Sequence, residues 1–350
     1  MITFFPGPSR VYPRVKDYLN EAFDLGILSI SHRSEIFNAL SKQTLELLHE
    51  KLGIPSDYTI LYTSSATECW EILPQSLVNQ GSEHMYSGSF GEKWFQYAQH
   101  IKPKSTAQNL EPNVEIAPDQ FSPNAEMLCL TQNETSNGTQ INLGLMQKIR
   151  ESNPNPLIAY DVTSSLAGQA LPFHLGDVWF GSVQKCFGLP SGLGLLILSP
   201  KAVEKAWEIG EKGKYNSLTL MLENIKKFQT SCTPNVLGIF LLNRVMQDFH
   251  GSEHANAMLK ERAKAYYSLL DNTVLFSPLI SNEVNRSLTV VAVESTAERI
   301  AEVKSEAKKV GILLGSGYGK WKETTFRIAN FPALQQEDVD KLLHFLSDFK

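Results

Sequence analysis

A lysine and an aspartate are the residues with the most chemistry to offer. Lys185 ends the stretch Gly181-Ser182-Val183-Gln184-Lys185, and Asp161 closes the apolar run Leu157-Ile158-Ala159-Tyr160, 24 positions earlier. Each follows a short segment of β-like composition. In an α/β protein, ligands gather at the carboxyl ends of parallel strands, so this spacing can deliver an amine and a carboxylate to one edge. An amine whose surroundings lower its pKa attacks an aldehyde at neutral pH. A carboxylate facing a ring nitrogen keeps that nitrogen protonated, which turns the ring into an electron sink. The pair therefore suits an aldehyde cofactor with a ring nitrogen, and pyridoxal 5'-phosphate (PLP) has both.

Other stretches offer the remaining parts of such a site. Thr63-Ser64-Ser65-Ala66-Thr67 joins a strand over 59–62 to a helix over 68–78. Free N–H groups and the helix dipole there could seat a phosphate, or the hydroxyls could serve only as a helix cap. Phe90, between glycines in Ser87-Gly88-Ser89-Phe90-Gly91, follows a strand over 84–86 and precedes a helix over 92–100. It can pack on something flat or simply on the core. The polar run from Thr131 to Gly138, after a strand over 127–130, can orient a ligand or form turns. His32 and Arg33 stand just before a helix over 35–52 for which Ser34 is the expected N-cap.

The elements that must hold these residues fall into two lobes, the natural division for 350 residues. Residues 1–15, with Pro6-Gly7-Pro8 and Pro13, read as an extended N-terminal arm. Residues 16–250 read as a large α/β domain. Its remaining segments are a weak strand over 113–116, strands over 157–160, 178–182 and 193–198 (the last returning antiparallel), and helices over 200–210 and 236–249. Residues 251–350 change pattern to a smaller α+β domain: helix 254–270, strands 273–276 and 288–293, helix 296–310, strand 325–329 and helix 335–349.

Composition limits the function further. Hydrophobic residues make up 42% and charged residues 20%, ordinary for a globular chain. A net charge of −5 gives no electrostatic support to nucleic-acid binding. No apolar run approaches a bilayer's thickness, and the N-terminus lacks the basic and apolar regions of a signal peptide. Cys69, Cys129, Cys186 and Cys232 have no metal-ligand spacing and read as reduced thiols of a cytoplasmic protein without zinc. Gly315-Ser316-Gly317-Tyr318-Gly319-Lys320 fails as a dinucleotide fingerprint, because Lys320 takes the third glycine's place. It also fails as a P-loop, because Trp321 replaces the Ser/Thr. It reads as a flexible loop.

Seven segments in order resemble the class V aminotransferases of PLP fold type I, and within them the phosphoserine group. They are SHRSEIF (31–37), TSSATECW (63–70), SGSFGEKW (87–94), QNETSNG (132–138), AYDVTSS (159–165), GSVQKCFGLPSGLG (181–194) and FRIAN (326–330). The resemblance implies a large domain with a mainly parallel seven-stranded sheet and a smaller C-terminal domain. It implies that Lys185 bonds the cofactor's aldehyde and shuttles the proton, that Asp161 pairs with the ring nitrogen, and that Phe90 stacks on the ring. Thr135 would bond the ring's phenolic oxygen, while Ser65, Ala66, Thr67 and Gln184 hold the phosphate. Thr230 and Thr233 would reach the phosphate in a partner subunit, making the protein a homodimer with active sites at its interface. Arg327 would clamp the substrate's α-carboxylate, and His32 and Arg33 would help bind the side-chain anion. The implied reaction moves the amine of glutamate to 3-phosphohydroxypyruvate in serine biosynthesis.

Two departures bear on the substrate. Phosphoserine enzymes usually carry Gly-Gly-Gly-Arg where this chain has Ser64-Ser65-Ala66-Thr67. They also carry a His-Arg pair shortly before the carboxylate arginine, where this chain has Gly319-Lys320-Trp321-Lys322. An alanine–glyoxylate or serine–pyruvate aminotransferase is the alternative. A desulfurase is disfavoured because Gln184, not histidine, precedes the lysine and no cysteine follows Cys232. A silent PLP-fold scaffold would have no need of Lys185, Asp161 and Arg327 together.

Overall fold

The computed structural model describes residues 1–122 and 124–350. The chain opens with strand β1 (Ile2–Phe4), helices α1 (Val15–Asp24) and α2 (Glu35–Leu52), strand β2 (Thr59–Thr63) and helix α3 (Ala66–Leu77). Strand β3 (Glu83–Tyr86), helix α4 (Ser89–Ile101), strands β4 (Thr106–Asn109) and β5 (Met127–Thr131), and the hairpin β6 (Asn133–Glu134) and β7 (Thr139–Gln140) follow. Then come α5 (Leu143–Ser152), β8 (Leu157–Asp161), β9 (Val178–Ser182), β10 (Gly194–Leu198), α6 (Pro200–Ile209), α7 (Leu218–Ile225) and α8 (Val236–Asp248). The last part holds α9 (Ser252–Asp271), β11 (Ser277–Pro278), β12 (Val290–Glu294), α10 (Ala297–Lys309), β13 (Ile312–Ser316), β14 (Thr325–Ala329) and α11 (Gln336–Asp348).

The first sheet has seven strands in the order β2-β10-β9-β8-β5-β3-β4. Its strands are parallel except β10, which runs antiparallel to both β2 and β9. The central strands β5, β8, β9 and β10 are buried along nearly their whole length, as expected for a sheet covered by helices on both faces. The helices have local reasons to start where they do. Ser34, Ser65 and Ser199 each accept a backbone N–H at the start of α2, α3 and α6, which satisfies one of the orphan donors of each first turn.

The second sheet has five strands, β1-β13-β14-β12-β11, and its own apolar core. Its edge includes the start of the extended arm, since β1 pairs in parallel with β13 and carries Phe4 fully buried into that core. Five boundaries differ from expectation. The strand expected over 113–116 does not form, and β4 lies at Thr106–Asn109 instead. The strand expected over 273–276 gives way to the two-residue β11. Helix α3 begins at Ala66, two residues early, and α4 at Ser89, three residues early, so Phe90 sits inside its first turn. The segment read as a flexible loop over 315–320 contains the end of β13 and the start of a short 3-10 turn, Gly319–Trp321.

Among the described residues no helix is long and apolar enough to cross a membrane, and no group of three or more His, Cys, Asp or Glu is placed to hold a metal ion. Because the first residues complete the second core, Phe4→Ala should cost about 3–5 kcal/mol. Thermal or denaturant unfolding will show that loss, whereas an exposed arm would tolerate the change.

Candidate active site

Asp161 is the last residue of β8, and Lys185 follows the end of β9 by three residues. These strands are parallel neighbours, with Asp161 opposite Phe180, so both side chains leave the same carboxyl edge. Both are buried. The Lys185 ammonium donates to the Pro6 carbonyl at 2.9 Å and to Thr135 Oγ1 at 3.2 Å. It also stands 5.6 Å from the centre of the Phe90 ring. The arm that supplies Pro6 runs close enough that a Cβ on Gly7 would lie 3.0 Å from Lys185 Nζ. The φ of +151° at Gly7 is a second reason for glycine there. Ser9 fastens the arm by donating its hydroxyl to the carbonyls of Gln184 and Lys185.

Arg327, on β14 of the second sheet, reaches the same place. Its Nη1 donates to the Thr135 carbonyl at 2.7 Å and its Nε to the Ser316 carbonyl at 2.8 Å. Thr135 therefore meets the lysine with its hydroxyl and the arginine with its carbonyl. The guanidinium lies 5.4 Å from the centre of the Tyr318 ring, and that ring stacks on Phe90 with centroids 5.3 Å apart. Tyr318 in turn accepts a hydrogen bond from Lys93 at 2.9 Å.

Burial sets the electrostatics. It pushes the Lys185 amine down to about 8, with the Arg327 charge acting in the same direction and Asp161 opposing. It pushes Asp161 up to about 6 against the hydrogen bond from the Thr163 N–H, and Arg327 down to about 10. An amine near 8 has an appreciable neutral fraction at neutral pH, which a nucleophile requires.

The residues present fit a planar, ring-nitrogen cofactor. Asp161 Oδ1 accepts the Thr163 N–H at 2.9 Å, while Oδ2 accepts no hydrogen bond among the described residues. Beside it, the Thr163 hydroxyl is buried with no partner. A group with a protonated ring nitrogen would satisfy the free carboxylate oxygen, and an orphaned polar atom in a native interior calls for a partner.

Other sequence-predicted residues lie elsewhere or are otherwise engaged. Ser65 caps α3 by accepting from Glu68, and the Ala66 N–H, expected to face a phosphate, donates instead to Ser182 Oγ at 2.7 Å. Thr67 is exposed and Gln184 half-buried. Thr230 and Thr233 line a groove of about 240 Å³ with Thr63, Ser64 and Glu68 of the same chain, and Thr230 donates its hydroxyl to the Cys232 carbonyl. Arg33 is bonded to Asn224 and Gln229 at that groove's rim, and His32 packs edge-on against Phe37. Lys320 is held at the surface by Glu111, 3.4 Å away. Sequence reasoning missed Glu134, Thr163 and Tyr318. The signal for Glu134 was a carboxylate inside a polar run at a strand's end; for Tyr318 it was an aromatic among glycines.

The family model described as aminotransferase class-V matches residues 6–342. A curated phosphoserine aminotransferase from Rhodococcus opacus (strain B4) is 25% identical over 348 residues, covering 96% of this chain and 91% of the relative. The solved phosphoserine aminotransferase from Cytophaga hutchinsonii is 33% identical, with a TM-score of 0.95, covering 99% of this chain and 98% of the other. An alanine–glyoxylate aminotransferase from Nostoc sp., 20% identical with a TM-score of 0.83 over 99% of this chain and 94% of its own, shares the fold.

The raised Asp161 carboxyl has a measurable consequence. Below about pH 4 both folded and unfolded states hold the proton. Between about 4 and 6 the unfolded chain ionises first, so stability falls by on the order of 2–3 kcal/mol and stays lower above that window. In cofactor-free protein, Asp161→Asn should therefore raise Tm by several degrees at pH 7.5, at roughly 2–4 °C per kcal/mol, and the gain should vanish near pH 4. Melting curves of both proteins across that range test this.

Proposed function

This chain belongs to the class V aminotransferases and is a PLP-dependent enzyme, and on that premise we propose that it is a phosphoserine:2-oxoglutarate aminotransferase. It takes the amine of glutamate and gives it to 3-phosphohydroxypyruvate, working in the cytoplasm as a homodimer with active sites at the subunit interface. The end-to-end likeness to the Cytophaga hutchinsonii phosphoserine aminotransferase carries this choice.

When bound, PLP supplies an aldehyde for amine exchange and a protonated ring that draws electron density from the substrate's Cα. Lys185 would hold the cofactor through this aldehyde, and its Nζ is the group that would take and return the Cα proton. Its depressed pKa, about 8, supports both uses at neutral pH. Asp161 Oδ2 would hold the proton on the ring nitrogen, and Phe90 would pack against the ring's face. The Thr135 hydroxyl, 3.2 Å from the lysine, binds the phenolic oxygen. Ser65, Thr67 and Gln184 hold the phosphate from one chain, joined by Thr230 and Thr233 of the opposite chain. Ala66 contributes through the turn it fixes with Ser182 rather than through a free N–H. Arg327 spends one Nη1 and one Nε bond on carbonyls, which leaves donors of its fork to grip the α-carboxylate. His32 and Arg33 bind the distal anion.

A second reading, an alanine–glyoxylate type enzyme, draws support from Lys320, whose charge is engaged by Glu111 at the surface rather than turned to a second anion. An amino-acceptor panel separates the two. The phosphoserine reading requires kcat/KM for 3-phosphohydroxypyruvate to exceed that for glyoxylate by tenfold or more; equal turnover of alanine with glyoxylate would replace it. Arg327→Ala should raise KM for both amino acids, whereas Arg33→Ala should impair mainly the doubly anionic ones. Lys185→Ala should abolish the visible absorbance that wild-type protein gains on adding PLP.

A further inference from the structure

The segment Glu134-Thr135-Ser136 divides its work by alternation. Thr135 faces Lys185 and Arg327, as described above. The residues on either side face the start of helix α4, whose N-cap is Gly88 and lacks a side chain to cap it. The Ser89 N–H donates to Ser136 Oγ at 3.0 Å. The Phe90 and Gly91 N–H groups donate to Glu134 Oε2 at 3.2 and 3.1 Å, and Glu134 Oε1 accepts the Ser136 N–H at 2.9 Å. The first three donors of a 13-residue helix are thus satisfied from another strand's end, with a carboxylate at the positive end of the helix dipole. Gly88 must be glycine for this arrangement, since a Cβ there would lie 2.4 Å from Glu134 Cγ.

Glu134 is 1% exposed, and a carboxylate so deeply buried needs compensation for its charge. The groups facing this region are the cations Lys185 and Arg327, Asp161 across the lysine, the Cys186 thiol and the Tyr318 phenol. Lys93, on α4 itself, adds a cation from the solvent side. Without Glu134, two buried cations would face one carboxylate.

We infer that Glu134 is a positioning residue for the reaction, locking the Phe90 ring in place through the α4 backbone and supplying the second buried negative charge for Lys185 and Arg327. Both its carboxylate oxygens are taken by backbone N–H groups, so it acts through Phe90, Lys185 and Arg327. The inference rests on PLP being carried at Lys185.

The test uses holoenzyme and follows the visible absorbance and circular dichroism of the bound cofactor against pH. Glu134→Gln retains one acceptor and removes the charge. Loss of an anion beside a protonated nitrogen disfavours the charged form, so the absorbance midpoint should fall by about half a pH unit or more. Glu134→Asp retains the charge but is one methylene short of the α4 backbone; it should keep the midpoint and lose dichroic amplitude as the ring stack loosens. Ser136→Ala, which removes a cap without changing charge, should lower Tm and leave the midpoint in place, the signature of a purely structural role. A Glu134→Gln holoenzyme with wild-type midpoint and dichroism overturns the inference. Should that variant fail to fold, unchanged dichroism in Glu134→Asp overturns it equally. A wild-type protein that gains no visible band with PLP overturns the reading beneath it, and the inference falls with that reading.

Discussion

Two cations and two carboxylates are buried together at the meeting of the two sheets, and the rest of the structure is arranged to make that tolerable. Lys185 and Arg327 stand against Asp161 and Glu134, each 8% exposed or less. A lone charge at such depth would be costly. Here each is held by backbone groups: Asp161 by the Thr163 N–H, Glu134 by three N–H groups, Lys185 by the Pro6 carbonyl, and Arg327 by two carbonyls. Those partners come from five separate stretches of chain. The site can exist only when the arm, both sheets and the turn after β5 are in place. Burial that leaves the lysine near 8 and the aspartate near 6 also suits an amine to nucleophilic work at neutral pH.

The two sheets are joined at this point by more than charge. The arm leaves β1 on the edge of the second sheet, passes Lys185 with Pro6 and Gly7, and is fastened to the first lobe by Ser9. Pro6 also lies against Gly315, where a Cβ would come within 2.6 Å of its ring. On the other side, Tyr318 leans on Phe90 and Gly319 sits against Ser89. A displacement of the second sheet therefore moves Arg327 and the arm together relative to Lys185, which ties the position of the guanidinium to the surroundings of the amine.

The fold was legible where short-range rules decide. Apolar runs bounded by turn residues located β5, β8, β9 and β10, and Ser34 marked the start of α2 as a serine cap should. It was less legible where a distant segment supplies the reason. Helix α4 starts at Ser89 because Glu134 and Ser136, more than 40 residues on, accept its first N–H groups; nothing between 87 and 92 announces this. Strand β1 forms because β13 offers an unpaired edge. Asp161, Lys185, Phe90, Thr135 and Arg327 could be gathered from the sequence because strand ends and a family pattern marked them. Glu134 and Thr163 stand inside matching segments but did not stand out there, since their importance lies in what they face.

The segment between β13 and β14 joins an aromatic–cation stack to a surface ion pair. Tyr318 lies between Phe90 and Arg327, and its hydroxyl is engaged by Lys93, so an aromatic ring occupies the space between Phe90 and the Arg327 guanidinium. Lys320, one turn further, is bound to Glu111 and lies 4.8 Å from the Trp321 ring centre, exposed to solvent. An exposed ion pair of this kind contributes little to stability. The aromatic–cation stack is more deeply set and harder to rearrange. The surroundings of the Lys185 amine are thus fixed by buried groups, whereas Lys320 is held only by surface contacts. Lys320 can therefore be replaced without disturbing the buried set, whereas a change at Tyr318 would reach both Phe90 and Arg327.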